Sequence, residues 1–365
     1  MIPLFKIHAP KDIGNTLQKV FDSGFLTEGV YSDKFEKSLS DYLNNENVCL
    51  LNSCTSALTL ACHLSDIQPG DEVITTSMTC MATNEPFYNA GARLVFADID
   101  PTTGNIDPED VRKKVTKKTK AIVVVHWAGQ PVDLSSINKI ASENNLKVIE
   151  DAAHALGATY EDKKIGNHSD FVCFSFQAIK HLTTADGGAI VCKHKTDAER
   201  IRRIRWYGFD RKYSERTGKS RWDPDIVESC FKMHMNNMNA AIGLEQMKSI
   251  DFIINSHINN GNYYDKNISN PKVKKLERTD NSQSSYWIYS VLVEDKDKFE
   301  RYMKDNDIAT DVVHVRNDKY TVFEDFRNNN LPGVDFFESR LMNIPVGWWI
   351  TEKQREHIVN TINEY

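Results

Sequence analysis

Short runs of branched and aliphatic residues recur along the first three-fifths of the chain, separated by longer stretches whose apolar positions fall at helical spacing. The runs at 48–51, 72–75, 93–97, 121–126 and 147–150 read as strands. The intervening 55–65, 83–90, 107–113 and 134–144 read as amphipathic helices. Such alternation predicts an α/β layer structure with a mostly parallel sheet. Two more β-rich runs, 171–176 and 189–192, follow with no helix-length gap after the first, so at least one strand is expected to run antiparallel.

The texture changes near Met238. A long helical pattern at 239–258 leads to a strand at 286–293, a helix near 296–306, a strand near 310–314 and two closing helices. We therefore expect a large α/β domain over 1–238, including the N-terminal segment, and a smaller α+β domain over 239–365. Residues 211–220 are polar and charged, which predicts a mobile surface loop. The basic run at 113–120 reads as a solvated helix end, and the chain shows neither an internal repeat nor a low-complexity stretch.

Composition narrows the class. The 365 residues are 40% hydrophobic and 26% charged, as in an ordinary globular protein. A net charge of −6 argues against a nucleic-acid partner held mainly by charge. No apolar run approaches membrane-spanning length, and the N-terminus lacks the basic and apolar regions of a signal peptide, so neither a membrane partner nor export is expected. The seven cysteines are scattered, odd in number and never spaced C-x-x-C, which predicts free thiols in a reducing cytoplasm and no metal site.

Three places carry candidate chemistry. Asp151 directly follows an apolar strand, at the strand end where open α/β sheets bind ligands. A carboxylate there, beside a pyridine nitrogen, keeps the ring protonated and improves it as an electron sink. Ser175 and Lys180 follow the next apolar strand, in a loop that closes on Asp186-Gly187-Gly188. A lysine whose pKa is lowered by its site forms an imine with an aldehyde. A strand-end Asp and a strand-end Lys together suit pyridoxal phosphate (PLP). The third place is the turn from Asn52 to Ala57, whose leading helical amides, with the hydroxyls of Thr55 and Ser56, suit a phosphate. Each place has a plainer reading: Asp151 as a helix N-cap, Lys180 as a solvated cation, the serines and threonines as caps. Local pattern leaves these open. There is no G-x-G-x-x-G, which weakens a dinucleotide-binding reading.

The three places, in this order, resemble the DegT–StrS family of sugar aminotransferases and dehydratases, which have the type I fold of aspartate aminotransferase. The similarity includes Gly24-Phe25-Leu26-Thr27-Glu28-Gly29, Pro69-Gly70-Asp71-Glu72-Val73-Ile74, Val95-Phe96-Ala97-Asp98-Ile99-Asp100 and His126-Trp127-Ala128-Gly129-Gln130-Pro131. The resemblance implies that Lys180 is the Schiff-base lysine and the proton carrier. It implies that Asp151 pairs with the pyridinium, that His154 lies beside the ring hydroxyl, and that Thr55, Ser56 and Ser175 bind the phosphate. Lysine at 180, where a dehydratase subgroup has histidine, implies transamination. The family usually forms homodimers with shared active sites.

Three positions depart from the family pattern. Cys54 stands where a glycine is usual, and Cys80 where a ring-stacking aromatic is usual. Lys232 stands where the family's asparagine reaches the partner's phosphate, and it is read here as a cofactor contact. For substrate, the resemblance implies L-glutamate as amino donor and a nucleotide-linked 4-keto or 3-keto deoxy sugar as acceptor, made for surface polysaccharide such as lipopolysaccharide O-antigen. An unactivated keto-sugar acid of lipopolysaccharide, or a non-catalytic sugar- or PLP-binding relative, is the alternative. Arg316 is expected to hold a diphosphate, His314 and Asp318 sugar hydroxyls, and Thr27 and His181 further parts of the substrate. Trp348 and Trp349 are expected to pack the smaller domain.

Overall fold

A computed structural model describes every residue except Arg211, Lys212, Asn328 and Asn329. Two helices, α1 (Ile13–Ser23) and α2 (Val30–Leu43), precede the first strand. Strands and helices then alternate as β1 (Val48–Leu51), α3 (Cys54–Leu64), β2 (Glu72–Thr76), α4 (Met81–Asn89), β3 (Arg93–Ala97), α5 (Pro108–Lys114), β4 (Thr119–Val125), α6 (Leu134–Asn144) and β5 (Lys147–Asp151). The short β6 (Thr159–Tyr160) and β7 (Lys163–Lys164) lead to β8 (Phe171–Ser175) and β9 (Gly188–Cys192). Next come α7 (Lys195–Ile204), α8 (Tyr213–Thr217), α9 (Asn237–Met247) and α10 (Ile250–Asn267). The chain closes with β10 (Val273–Lys275), β11 (Ser282–Gln283), β12 (Tyr289–Val293), α11 (Lys296–Asp305), α12 (Pro332–Arg340), β13 (Leu341–Ile344) and α13 (Glu352–Glu364).

The seven-stranded sheet has the order β1-β9-β8-β5-β4-β2-β3. Its central pairs are parallel, and β9 runs antiparallel to both β8 and β1, as the closely spaced runs had suggested. The strands read as unbroken apolar runs because helices cover both faces. One face packs Leu58, Phe87, Phe96 and Ile149, the other Phe35, Leu39, Val124, Ile137 and Phe174. Side-chain caps start several helices: Ser53 caps α3, Asp107 with Pro108 starts α5, and Asp133 caps α6. A third cluster, with Tyr264, Tyr289, Phe299 and Ile358, packs around the sheet β10-β12-β13.

The topology sets one edge of the large sheet apart. β1 and β8 both pair antiparallel with β9, so they end together, with Leu51 and Ser175 each opposite Gly188. β5 runs parallel to β8, so Asp151 ends beside them. The turn after β1, the loop after β8 and the end of β5 therefore share one edge.

Several expectations need correction. The helix expected over 239–258 is two helices, α9 and α10, which break at Lys248 and Ser249. Residues 310–314 form no strand and contribute only an isolated bridge between Asp311 and Asn343. The strand expected from 286 begins at Tyr289, because Tyr286 sits in the left-handed region at φ 46. Of the expected loop 211–220, residues 211 and 212 lie outside the described residues, and the remainder contains α8.

Candidate active site

Asp151 is the last residue of β5 and is 5% exposed. Its Oδ1 accepts the Ala153 amide (3.1 Å) and its Oδ2 accepts the Thr83 hydroxyl (2.6 Å) from α4. No helix follows it, only turns from 153 to 157, so the helix-cap reading falls away. Cys54 brings its thiol to within 3.9 Å of Oδ1.

Lys180 is part-buried in the loop after β8, with its amide bonded to the Gln177 carbonyl (3.0 Å). Its Nζ stands 3.8 Å from the centroid of the Trp287 ring. Burial lowers the amine from 10.5 to about 8, against the opposing pull of Asp151 and the Cys54 and Cys80 thiols. An amine so placed is neutral far more often than a solvated one, which is what imine formation requires.

Trp287 anchors this corner. Its indole N–H donates to the Ile179 carbonyl (2.9 Å), one residue before Lys180, and the ring stacks on His154 with centroids 3.8 Å apart and planes within 10°. His154 is buried, and its Nδ1 has no hydrogen-bond partner. Burial, followed by the Lys180 charge, holds its pKa well below the usual histidine range, so the ring is neutral. His314 lies nearly parallel to His154 at 5.7 Å, with its Nε2 unpartnered. Burial and the Lys180 charge push it down to about 4.

The turn after β1 packs against β9 as closely as backbones allow. A Cβ on Gly188 would lie 2.4 Å from the Ser53 carbonyl carbon and 2.5 Å from the Cys54 nitrogen, so only glycine fits. Ser53 Oγ accepts the Ser56 amide (3.0 Å), and Ser56 Oγ donates to Asn52 Oδ1 (2.6 Å). Cys54 is the first helical residue of α3 and has no positive φ, so the glycine of the family pattern is not required for its backbone. Thr55 follows it, part-buried. Ser175 Oγ accepts the Gln177 amide at 3.4 Å.

Other expected positions fare differently. Arg316 is 6% exposed and makes a bidentate pair with Asp318 (2.7 and 2.6 Å) and a third contact with Asp335. Its guanidinium is neutralised within the chain, and Asp318, 1% exposed, is its counter-ion. Neither is presented to a diphosphate or a sugar hydroxyl. His181 turns into the interior, with Nε2 on the Ser285 carbonyl (3.0 Å) and its ring against His257. Lys232 is exposed and reaches over the Trp206 ring at 5.6 Å. Cys80 caps α4 with extended backbone and supplies a thiol where a stacking ring was sought. Thr27 is exposed in the loop before α2, held from behind by Asn237, which bonds Phe25, Tyr31 and Ser32. Trp349 donates to the Pro3 carbonyl (3.0 Å) and Trp348 meets His8 edge-on, so both pack the N-terminal segment as well as one another.

Thr83 and Trp287 were missed by pattern reading. Neither carries a sequence signal that separates it from a core residue.

The residues at this edge fit PLP. The unpartnered Nδ1 of His154, the lysine of lowered pKa, the carboxylate at the neighbouring strand end and the helix start at Cys54 converge there. All seven cysteines are free, and the described residues contain no cluster suited to a metal ion.

Comparison with known proteins agrees with this fold. The model of the DegT/DnrJ/EryC1/StrS aminotransferase family matches residues 8–363. The sugar aminotransferase CalS13 from Micromonospora echinospora is 36% identical, with a TM-score of 0.94 and full coverage of both chains. AtS13 from Actinomadura melliaura is 37% identical, with a TM-score of 0.94, over 100% of this chain and 99% of that one. The dTDP-3-amino-3,6-dideoxy-alpha-D-galactopyranose transaminase of Aneurinibacillus thermoaerophilus is 31% identical over 97% of this chain and 95% of its own.

Proposed function

As the chain belongs to the DegT/DnrJ/EryC1/StrS aminotransferase family, we propose that it is a PLP-dependent transaminase that moves an amino group from L-glutamate to a nucleotide-linked keto deoxy sugar. Bound PLP supplies an aldehyde that takes up the amine and a ring that withdraws electrons from the adjacent carbon. The observation that carries the reading is the pair Lys180 and Asp151 on one sheet edge, the amine already lowered to about 8.

Each side chain then has a task. Lys180 Nζ would hold the aldehyde carbon of the cofactor and would serve as the base that moves the proton during amine transfer. Asp151 offers its carboxylate to the ring nitrogen. His154, stacked on Trp287 with its Nδ1 unpartnered, would be the contact to the ring hydroxyl. The free amides at the start of α3, with Thr55 and Ser175, would hold the phosphate, whereas Ser56 spends its amide on Ser53 and its hydroxyl proton on Asn52 and would have to release one of them to join. His314, nearly parallel to His154 at 5.7 Å, is the side chain assigned to the acceptor sugar.

Relatives named for dTDP-linked and GDP-linked amino sugars support an activated acceptor. We also read the chain as a homodimer with shared sites. Exposed Phe25, Val30, Trp222 and Val227 support that reading, under which Lys232 would be the contact to the partner's phosphate. We further propose a large domain over 1–238, a smaller one over 239–365, and a role in surface polysaccharide synthesis in the cytoplasm. No described helix is long and apolar enough to cross a membrane.

The test is a pair of half-reactions. L-Glutamate added to the yellow PLP form should bleach it, and one of a panel of UDP-, dTDP- and GDP-linked 4-keto and 3-keto sugars should restore the colour. A response only to an unactivated keto-sugar acid would overturn the substrate. No response to any amino donor would overturn the activity.

A further inference from the structure

Helical threonines commonly return their hydroxyl to the carbonyl four residues back. Thr59 does so on α3, bonding the Thr55 carbonyl at 2.9 Å. Thr83, on α4, does not. Its hydroxyl leaves the helix and donates to Asp151 Oδ2 at 2.6 Å, across 68 residues of sequence. The carbonyl it would have used, that of Thr79, is taken by the Asn317 side-chain amide at 2.6 Å.

The bond directions follow from the end of the chain. An ionised carboxylate only accepts, so the one proton of Thr83 is committed to Asp151. The 2.7 Å contact between the Thr79 and Thr83 hydroxyls must then run from Thr79 to Thr83. Two hydroxyls in line polarise each other toward the carboxylate. Behind them the polar groups are also assigned. Asn84 donates to Asn317 Oδ1 (2.8 Å) and to the Thr76 carbonyl (3.0 Å), and accepts from Thr75 (2.8 Å). The Asn317 amide donates to the Ser77 carbonyl at 2.7 Å. Thr75, Thr79, Thr83, Asn84 and Asn317 are each no more than 2% exposed. A buried network of this kind is costly unless complete, and every donor named here ends on an acceptor.

We infer that Thr83 is a positioning residue for the cofactor: its hydroxyl, backed by that of Thr79, fixes the Asp151 carboxylate in the orientation that meets the ring nitrogen. The inference rests on the reading that this edge binds PLP. Asp151 is otherwise steadied by one backbone amide and a distant thiol, which leave its rotation about the side-chain bond weakly fixed. The β-branched Thr83 has a stiff side chain on a rigid helix, and supplies the missing constraint. The remaining lone pairs of the carboxylate stay available for the ring N–H.

The test titrates cofactor-free protein with PLP, following the visible band and the dissociation constant, with circular dichroism as the control for folding. Thr83→Val keeps the shape and removes the hydroxyl. It should weaken PLP by about tenfold or more, the scale of a lost hydrogen bond to a charged group, and diminish or shift the visible band. Thr83→Ser should restore both. Thr79→Val, one step back along the chain, should give a smaller loss in the same direction. A folded Thr83→Val with wild-type affinity and spectrum overturns the inference, and so does a Thr83→Ser no better than the valine. If Thr83→Val does not fold, an unchanged Thr79→Val overturns it instead. Wild-type protein that binds no PLP overturns the reading of the site together with this inference, whereas a wild-type binder with an indifferent Thr83 overturns the inference alone.

Discussion

Lys180 should react as a neutral amine at a pH where ordinary lysines do not. With its pKa at about 8, about a quarter of the amine is unprotonated at pH ~7.5, against roughly one part in a thousand for a lysine at its usual value. The difference is roughly 200-fold in the reactive form. The sign follows from burial: the ammonium is the form that loses water, so it gives up its proton earlier as pH rises. Reactivity should therefore climb about tenfold per pH unit below about 8 and level off above it.

Trace reductive methylation of the cofactor-free protein measures this site by site. Peptide mass spectrometry compares Lys180 with exposed Lys11 and Lys353, so the pH dependence of the reagent cancels. Trp287→Ala is the matching perturbation, because it removes the ring that lies 3.8 Å from Nζ and lets water in. Losing the cation–π contact acts in the opposite direction by about 1 kcal/mol. The lowering it opposes corresponds to at most about 3 kcal/mol. The net result should be a midpoint moved upward, and reactivity at pH ~7.5 reduced by about tenfold. A Lys180 profile that coincides with those of the exposed lysines, or one indifferent to Trp287→Ala, would refute this account of the amine.

Two further outcomes bear on the neighbouring groups. His154→Leu preserves an apolar face against Trp287 but removes Nδ1, so PLP should bind about tenfold more weakly to a folded protein; unchanged binding in a PLP titration would detach His154 from the cofactor. Arg316→Ala leaves Asp318 buried without its counter-ion and should cost about 3–5 kcal/mol of stability by denaturant unfolding, with the KM for a nucleotide-linked acceptor unchanged in the folded protein. Unchanged stability with a raised KM would restore Arg316 as a diphosphate ligand.

The large sheet was legible because strands buried on both faces read as apolar runs, such as Val48–Leu51 and Gly188–Cys192. Asp151 was legible as a sheet-edge residue because it closes such a run, and Lys180 because it lies in the loop after the next one, while the family resemblance supplied the role of each. What periodicity does not contain is the direction of a side chain in irregular backbone. Trp287 looked like one more residue of a strand, until the left-handed Tyr286 shortened that strand and left Trp287 against Ile179 and His154. Arg316 looked free for a ligand because its second acidic partner, Asp335, lies 19 residues away on another element. Thr83 shares the helical pattern of α4 and differs from a core threonine only in where its hydroxyl points. The break at Lys248 and Ser249 also escaped notice, since neither residue is a helix breaker and the apolar pattern runs on through it.

The central claim is that Lys180 is the residue that carries the cofactor. Borohydride reduction of the PLP-loaded protein, followed by peptide mapping, tests it most directly. The account predicts one pyridoxyl group per chain, on Lys180, and none on Lys180→Ala protein that retains its fold. A pyridoxyl group on any other lysine, or none on a protein saturated with PLP, would contradict it.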